Sequence, residues 1–235
     1  MDLPTAFPAD AVTWLIGHSA RTVLCLGGSE IATSVAESGH DVATVAGPDS
    51  DLPFNPRSID VVVSAGRLPV DLEKVAALLR PGGHLALVTK ARDHRIPWAR
   101  KLDLAVGAAA ADPDACASLV GSQHFGFVEE QQFRFWETVN QHSLRDKLVA
   151  EIGPAADADR RVAAGLALYD DYGRGMDGMQ LPWVADCAKA TVLDSFWGSP
   201  MSQDETGEFP VVPSEAPDAA PAEPLDDAML LIDFR

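Results

Sequence analysis

Short apolar runs alternate with stretches of helical spacing along the first ninety residues. Four apolar runs, at residues 22–26, 41–46, 59–64 and 84–89, predict buried strands. Residues 11–16, 29–38 and 72–79 predict the intervening helices, with Asp10 as N-cap of the first and residues 80–83 ending the third. Aliphatic strands separated by helices predict an α/β fold whose parallel sheet is covered on both faces.

The pattern changes beyond residue 110. Alternation over residues 125–136 predicts one or two longer strands. Apolar residues at helical spacing predict a helix around residues 144–152 and another around residues 162–169. Residues 182–192 are interpreted as a third helix. We therefore expect a helical C-terminal part.

Composition divides the chain into a predicted globular domain, residues 1–198, and a predicted flexible tail, residues 199–235. Residues 201–235 hold five prolines and nine acidic residues against one base, Arg235. Such a segment buries too little apolar surface to offset the entropy of ordering it. Residues 228–234 form a short apolar cluster, which is either incidental or a docking segment for this domain or a partner.

Charge and cysteine content exclude several classes of protein. The formal net charge is -17, which disfavours nucleic acid and anionic membranes. No apolar run reaches the roughly 20 residues of a membrane span, and the N-terminus lacks the pattern of a signal peptide. The three cysteines are scattered, and the six histidines match no metal-binding motif, so neither disulfides nor a metal site is predicted. We expect a cytoplasmic protein.

A set of motifs follows a fixed order between residues 23 and 88. It comprises Val-Leu-Cys-Leu-Gly-Gly at 23–28, Gly-His-Asp-Val at 39–42, Leu-Pro-Phe at 52–54 with Ser-Ile-Asp-Val-Val at 58–62, and Leu-Arg-Pro-Gly-Gly at 79–83. This order resembles class I S-adenosylmethionine-dependent methyltransferases of the small-molecule type, over roughly residues 8–195. Residues 91–98 look like a segment of some actinobacterial members. The resemblance implies a Rossmann-like, doubly wound, mostly parallel sheet.

The same resemblance implies a cofactor site of three parts. A glycine-rich turn after the first strand lets the backbone approach the cofactor. An acidic residue ending the second strand accepts the ribose hydroxyls, and a polar residue after the third strand meets the adenine. The positions that this pattern assigns to S-adenosylmethionine here are Gly27, Gly28, Ser29, Glu30, Asp51 and Leu52.

Each part departs from the family pattern. The turn after Gly27 and Gly28 is about two residues short. Ala46 and Gly47 stand where the ribose-binding acid is expected. A helix, strand and adenine loop would need about two dozen residues before Leu52, and residues 48–51 cannot supply them, so the fold is predicted to be shortened around the third strand. Glu30 or Asp51 could replace the missing acid.

Two main hypotheses about function follow, and a third is that the emptied cofactor pocket binds another ligand. One is a non-catalytic, methyltransferase-like protein that binds no cofactor and engages a protein partner, or a second copy of itself, through its C-terminal helices or tail. The other is an active methyltransferase that binds S-adenosylmethionine and acts on a small molecule. Enzymatic activity is therefore left open, and no catalytic residue is assigned.

A few other residues are candidates for chemistry. His94 follows a strand, where it is either a base or a solvated loop residue. His40 is predicted at a surface turn, and Cys25 in the core. Certain aromatic side chains either line an acceptor pocket or pack in the interior: Trp98, Phe133, Phe135, Trp136, Trp183 and Trp197.

Overall fold

The computed structural model describes residues 7–108, 112, 114–172 and 178–197. The predicted tail lies outside these residues, so its flexibility and the domain division stay predictions. The helices are α1 Ala9–Ile16, α2 Ser29–Glu37, α3 Leu72–Leu78, α4 Pro97–Val106, α5 Ala117–Val120, α6 Gln141–Ile152 and α7 Ala158–Tyr172. The strands are β1 Thr22–Leu26, β2 Asp41–Val45, β3 Ile59–Ala65, β4 Leu79–Arg92, β5 Phe125–Val139 and β6 Met179–Val192, and a 3-10 turn follows at Asp194–Trp197.

The described strands form one mixed sheet in the order β2-β1-β3-β4-β6-β5. The pairs β1–β2, β1–β3 and β3–β4 are parallel, whereas β6 runs antiparallel to both β4 and β5. The expected α/β fold with a mostly parallel sheet is therefore confirmed. A bulge interrupts β4, whose pairing with β3 moves from Ile59–Leu79 to Val61–His84. The third helix ends at Leu78, as expected just before residues 80–83, and these residues lie within the span of β4.

Apolar side chains cover both faces of the sheet, as predicted. One layer places Val23, Cys25 and Val63 against α1 and α2. The opposite layer places Leu24 and Leu26 against α3 and α5, and a third cluster joins α4, α6 and α7 to the ends of β5 and β6. Adjacent residues of β1 enter opposite layers because side chains alternate along a strand.

The prediction of a helix over residues 182–192 is wrong, because these residues belong to β6. Val184, Cys187 and Val192 are spaced much like the apolar face of a helix. The segment is instead hydrogen-bonded on both sides, to β4 and to β5. Pairing with partners distant in the sequence overrides the local spacing here. The described residues between β5 and β6 include the helices α6 and α7.

Two local predictions about α1 and the turn before β2 are also wrong. Pro8 precedes α1, and Asp10 lies in the first turn, where its carboxylate accepts from the amide of Ala11 at 2.9 Å. His40 is buried, with 8% of its surface exposed, although residues 36–39 before it are exposed. Burial, together with the charge of Arg21, lowers the pKa of His40.

No helix or strand occupies residues 46–58, which link β2 to β3 across β1. Leu52 and Phe54 of this connection pack against the layer that contains α3. Within the described part of the chain, β2 consequently forms one edge of the sheet. None of the described helices combines the length and apolar character needed to cross a bilayer.

Candidate functional site

A cavity of about 820 Å³ lies where the carboxyl ends of β3 and β4 meet the helices α4, α6 and α7. We call it the carboxyl-edge cavity. Its lining includes Glu30, Lys90, Arg92, Lys147, Arg161 and Trp183. Ligands of open α/β sheets bind outside the carboxyl ends of the strands, and this volume suits a small molecule. The cavity is therefore the candidate site.

The glycine turn after β1 leads directly into α2. Gly27 and Gly28 both adopt positive φ, at +76° and +65°, a backbone conformation that glycine adopts at little cost. The amide of Gly27 donates to the carbonyl of Val45 at 3.0 Å. Ser29 and Glu30 then open α2, and no side chain caps this helix. Four of the six predicted cofactor positions thus lie together at the end of β1.

The other two predicted positions lie along the connection between β2 and β3. Asp51 is exposed, and Leu52 lines a separate cavity of about 240 Å³ beside α3. Asp49, close by in sequence, forms an ion pair with Arg67, and hydrogen bonding to Arg67 lowers its pKa. Leu52 and Glu30 therefore line different cavities.

Glu30 joins two lysines at the rim of the carboxyl-edge cavity. Its Oε2 lies 2.7 Å from Nζ of Lys90, and its Oε1 lies 3.6 Å from Nζ of Lys147. Lys90 also lies over the ring of Trp183, 4.4 Å from its centroid, a distance suited to a cation–π interaction. Neither lysine was singled out from the sequence.

A buried carboxylate completes this arrangement. Glu137 of β5 accepts from Lys147 at 2.6 Å and from Nε1 of Trp183 at 2.8 Å, and only 2% of its side chain is exposed. Although burial alone would lower the pKa of Lys147, the hydrogen bond to Glu137 and the charge of Glu30 raise it. These residues, Lys90, Glu30, Lys147, Glu137 and Trp183, form a closed ring of contacts, which we call the lysine ring.

Arg92 links α4 to α6 in the wall of the cavity. Its guanidinium pairs with Asp103 of α4 and Glu151 of α6, and 3% of its side chain is exposed. Burial opposes the charge, but the two carboxylates raise the pKa of Arg92 overall. Its Nε is buried without a hydrogen-bond partner in the structure.

His94 does not have the surroundings of a buried general base. Its side chain is 56% exposed, and its Nε2 lies 2.5 Å from Oδ2 of Asp103. This carboxylate belongs to the residue that also pairs with Arg92. The position fits the interpretation of His94 as a solvated loop residue.

The predicted aromatic candidates divide between interior and cavity. Trp183 lines the carboxyl-edge cavity. Phe133 and Phe135 pack in the layer that holds α1, Trp98 packs in the cluster of α4, α6 and α7, and Trp136 is 56% exposed. The side chain of Trp197 lies outside the described residues. Interior packing therefore accounts for three of the five candidates whose side chains are described.

The thiols show no sign of a nucleophile. Cys25 is buried, as predicted, and burial raises its pKa to about 11. Burial also raises the pKa of Cys187, to about 12. Within the described ranges, no group of three or more histidine, cysteine or acidic residues is arranged to hold a metal ion.

Comparison with known sequences finds relatives among mycobacterial proteins. No family model matches the chain. The uncharacterized methyltransferase Rv3342 of Mycobacterium tuberculosis and Mb3374 of Mycobacterium bovis are each 28% identical to it over 222 residues, spanning 80% of this chain and 90% of the relative. These two relatives confirm the predicted resemblance to methyltransferases. This is a methyltransferase-like protein.

Solved structures similar to the methyltransferase-like protein are more distant. The geranyl diphosphate C-methyltransferase of Streptomyces coelicolor, solved with S-adenosyl-L-homocysteine, has a TM-score of 0.34 at 12% identity, covering 79% of this chain and 76% of that one. The YcgJ protein of Bacillus subtilis has a TM-score of 0.40 at 13% identity, covering 77% and 95%.

Proposed function

We propose that this methyltransferase-like protein has an eroded S-adenosylmethionine site and acts without methyl transfer, through binding. The observation that carries the proposal concerns the side chains that could accept the ribose hydroxyls at the carboxyl ends of β1 and β2. β2 ends at Val45, and neither Ala46 nor Gly47 after it has a side-chain acceptor. Glu30, the acid at the glycine turn, is paired with two lysines.

These residues do not fit the ribose of the cofactor. A carboxylate that accepts both ribose hydroxyls makes charge-assisted hydrogen bonds worth about 1.5–3 kcal/mol each. Glu30 would have to leave Lys90 before it could provide them. Without the carboxylate, affinity falls by about one to three orders of magnitude.

The connection between β2 and β3 supports the same proposal. Residues 46–58 hold no helix or strand, and β2 lies at a sheet edge. We interpret this as a class I methyltransferase sheet shortened around its third strand. The missing strand would carry the loop that meets the adenine, so a second part of the cofactor site would be absent as well.

Calorimetric titration of the full chain with S-adenosylmethionine and with S-adenosylhomocysteine tests the proposal. We expect no saturable heat at ligand concentrations up to about 1 mM, because the ribose contacts and the adenine contacts would both be absent. The variant Ala46→Asp, which returns a carboxylate to the end of β2, is the informative comparison, and Thr44→Asp at an exposed position of β2 is its control. Micromolar binding to the wild-type protein would overturn the proposal.

Partner binding is the second part of the proposal. Two large apolar side chains of the C-terminal helices, Val149 of α6 and Tyr172 of α7, are 54% and 46% exposed. We propose that these helices, or the segment 228–234, contact a protein partner or a second copy of the chain. Sedimentation of the wild-type protein and of Val149→Glu tests self-association, since a charge at the contact would shift the protein towards monomer. Capture of a defined partner by the tail, lost when residues 228–234 are removed, would assign the contact to that segment.

The alternative, an active methyltransferase on a small molecule, is favoured by the size of the carboxyl-edge cavity and by Trp183 in its wall. That function requires saturation with S-adenosylmethionine and release of S-adenosylhomocysteine when an acceptor is supplied. The titration above therefore separates the two candidates before any acceptor is known.

A further inference from the structure

Two ammonium groups in the carboxyl-edge cavity converge on one carboxylate. Lys90 reaches Glu30 from the end of β4, and Lys147 reaches it from α6. Three separate elements, α2, β4 and α6, therefore place their charges at one point of the cavity rim. Such convergence is how proteins hold the anionic group of a small ligand.

The partners of the two lysines differ in how easily they could be displaced. Glu137 is almost fully buried and holds Lys147 from within the domain. Glu30, by contrast, is 45% exposed at the first turn of α2. A partly exposed ion pair contributes little to stability, so an incoming anion could take the place of Glu30 at small cost.

Two further observations favour an anion at this point. α2 spans nine residues, and no side chain caps its N-terminus, where free amides and the helix dipole attract negative charge. Arg92 lines the same cavity, and its buried Nε has no hydrogen-bond partner among the described residues. Cationic side chains therefore lie both at the rim of the cavity and in its wall.

We propose that the carboxyl-edge cavity binds a small organic anion, a carboxylate or a phosphate ester, whose charged group displaces Glu30 between Lys90 and Lys147. In the free protein, Glu30 acts as an internal substitute for that group. Trp183, which already contacts Lys90, forms the adjoining wall for the body of the ligand. This inference rests on the proposed function, because it assigns to another ligand Glu30, a residue predicted to contact S-adenosylmethionine.

Inorganic phosphate is a suitable probe of the anion position. It is titrated calorimetrically into the full chain at constant ionic strength. We expect Glu30→Gln to bind phosphate about ten-fold more tightly than the wild-type protein, because the competing carboxylate is gone. Glu37→Gln removes the same charge from the exposed end of the same helix and should bind like the wild-type protein.

A second pair of variants locates the binding. Adding Lys90→Met to Glu30→Gln should remove the gain, whereas adding Lys101→Met should preserve it, since Lys101 contacts Tyr172 outside the lysine ring. Circular dichroism establishes that each variant is folded, and thermal shift with phosphate gives a second reading of binding. Equal affinities for Glu30→Gln and Glu37→Gln would overturn the inference, because they would indicate a general field effect. Retention of the gain in the Lys90→Met background would overturn it too.

The same samples keep the two proposals apart. Titration of Glu30→Gln and wild-type protein with S-adenosylhomocysteine tests the proposed function. Micromolar binding of that ligand overturns the proposed function whatever phosphate does. A phosphate affinity that changes with neither Glu30 nor Lys90 overturns only the proposal of the anion site.

Discussion

Gly28 of the glycine turn lies directly against Ala65 at the end of β3. A Cβ built on Gly28 would lie 2.6 Å from the Cβ of Ala65 and 3.3 Å from Cδ1 of Ile31. The turn also needs φ of +65° at this position. The absence of a side chain at residue 28 therefore lets α2 begin beside the carboxyl end of β3, which places Glu30 at the cavity rim.

Replacing Gly28 by alanine should destabilise the fold through both effects. The positive φ costs about 1 kcal/mol, and the forced contact with Ala65 adds about 1–3 kcal/mol. Gly39→Ala is the matched control: its φ is +88°, but nothing lies within 4 Å of its added Cβ. Urea unfolding should show a clearly larger loss for Gly28→Ala, and Ala65→Gly in the same chain should recover part of the steric loss. Equal losses for the two glycines would contradict this account of the turn.

Local patterns predicted the parallel half of the fold well. Residues 23–26 and 61–63 are continuous apolar runs because both faces of β1 and β3 are covered. The same reasoning failed at β6, where Val184, Cys187 and Val192 mimic helical spacing. The antiparallel position of β6 between β4 and β5 depends on pairing over distances that no local window contains.

The candidate site was predictable only in part, for a similar reason. Glu30 was predicted from its place after the glycine turn. The two lysines that contact it, Lys90 and Lys147, lie at least 60 positions away in the sequence. Lys147 carries a usable signal, since it is charged and lies next to Leu148 on the buried side of α6. Glu137 carries another, at an inward position of β5 between Phe133 and Val139. The ring contacts among them required the tertiary structure.

The pair formed by Lys147 and Glu137 should contribute to stability in a coupled manner. Lys147→Met leaves a buried carboxylate without its cation, and we expect a loss of about 2–4 kcal/mol in the free energy of unfolding. Glu137→Gln combined with Lys147→Met should lose less than the sum of the two single variants. Lys101→Met, a lysine outside the lysine ring, should change stability by about 0.5 kcal/mol or less. Strict additivity of the two single losses would show that the contact contributes nothing.

His84 should make stability depend on pH in the weakly acidic range. Its Nε2 lies 2.6 Å from the carbonyl oxygen of Leu15, to which it donates as a neutral ring. Burial lowers the pKa of His84, and the positive charges of Lys189 and Arg21 lower it further. The hydrogen bond to Leu15 and the negative charge of Glu129 act in the opposite direction, but the pKa remains below its usual value.

The sign of that dependence follows from proton binding. Because the folded pKa is below the unfolded value of 6.5, the unfolded chain binds more protons, and stability falls as pH drops below about 6.5. One such group gives a slope of up to about 1.4 kcal/mol per pH unit. Urea unfolding between pH 5 and 7.5 should show a smaller slope for His84→Gln, with His18→Gln as an exposed control. An unchanged slope would remove His84 as the cause, leaving His40, whose pKa is also lowered.

The three cysteines should differ sharply in their reactivity. Burial raises the pKa of Cys25 to about 11 and of Cys187 to about 12, so neither forms thiolate near neutral pH nor meets a reagent in the folded protein. Cys116 is only partly buried, and its pKa is raised by burial and by the charges of Glu130 and Asp186. Iodoacetamide at pH 8 should therefore add one group slowly to the native protein and three in denaturant, as counted by mass spectrometry. Raising the salt concentration should speed the native reaction, since it screens the two carboxylates. Cys116→Ser should abolish that reaction, and a second modified cysteine under native conditions would show that the sheet opens around Cys25 or Cys187.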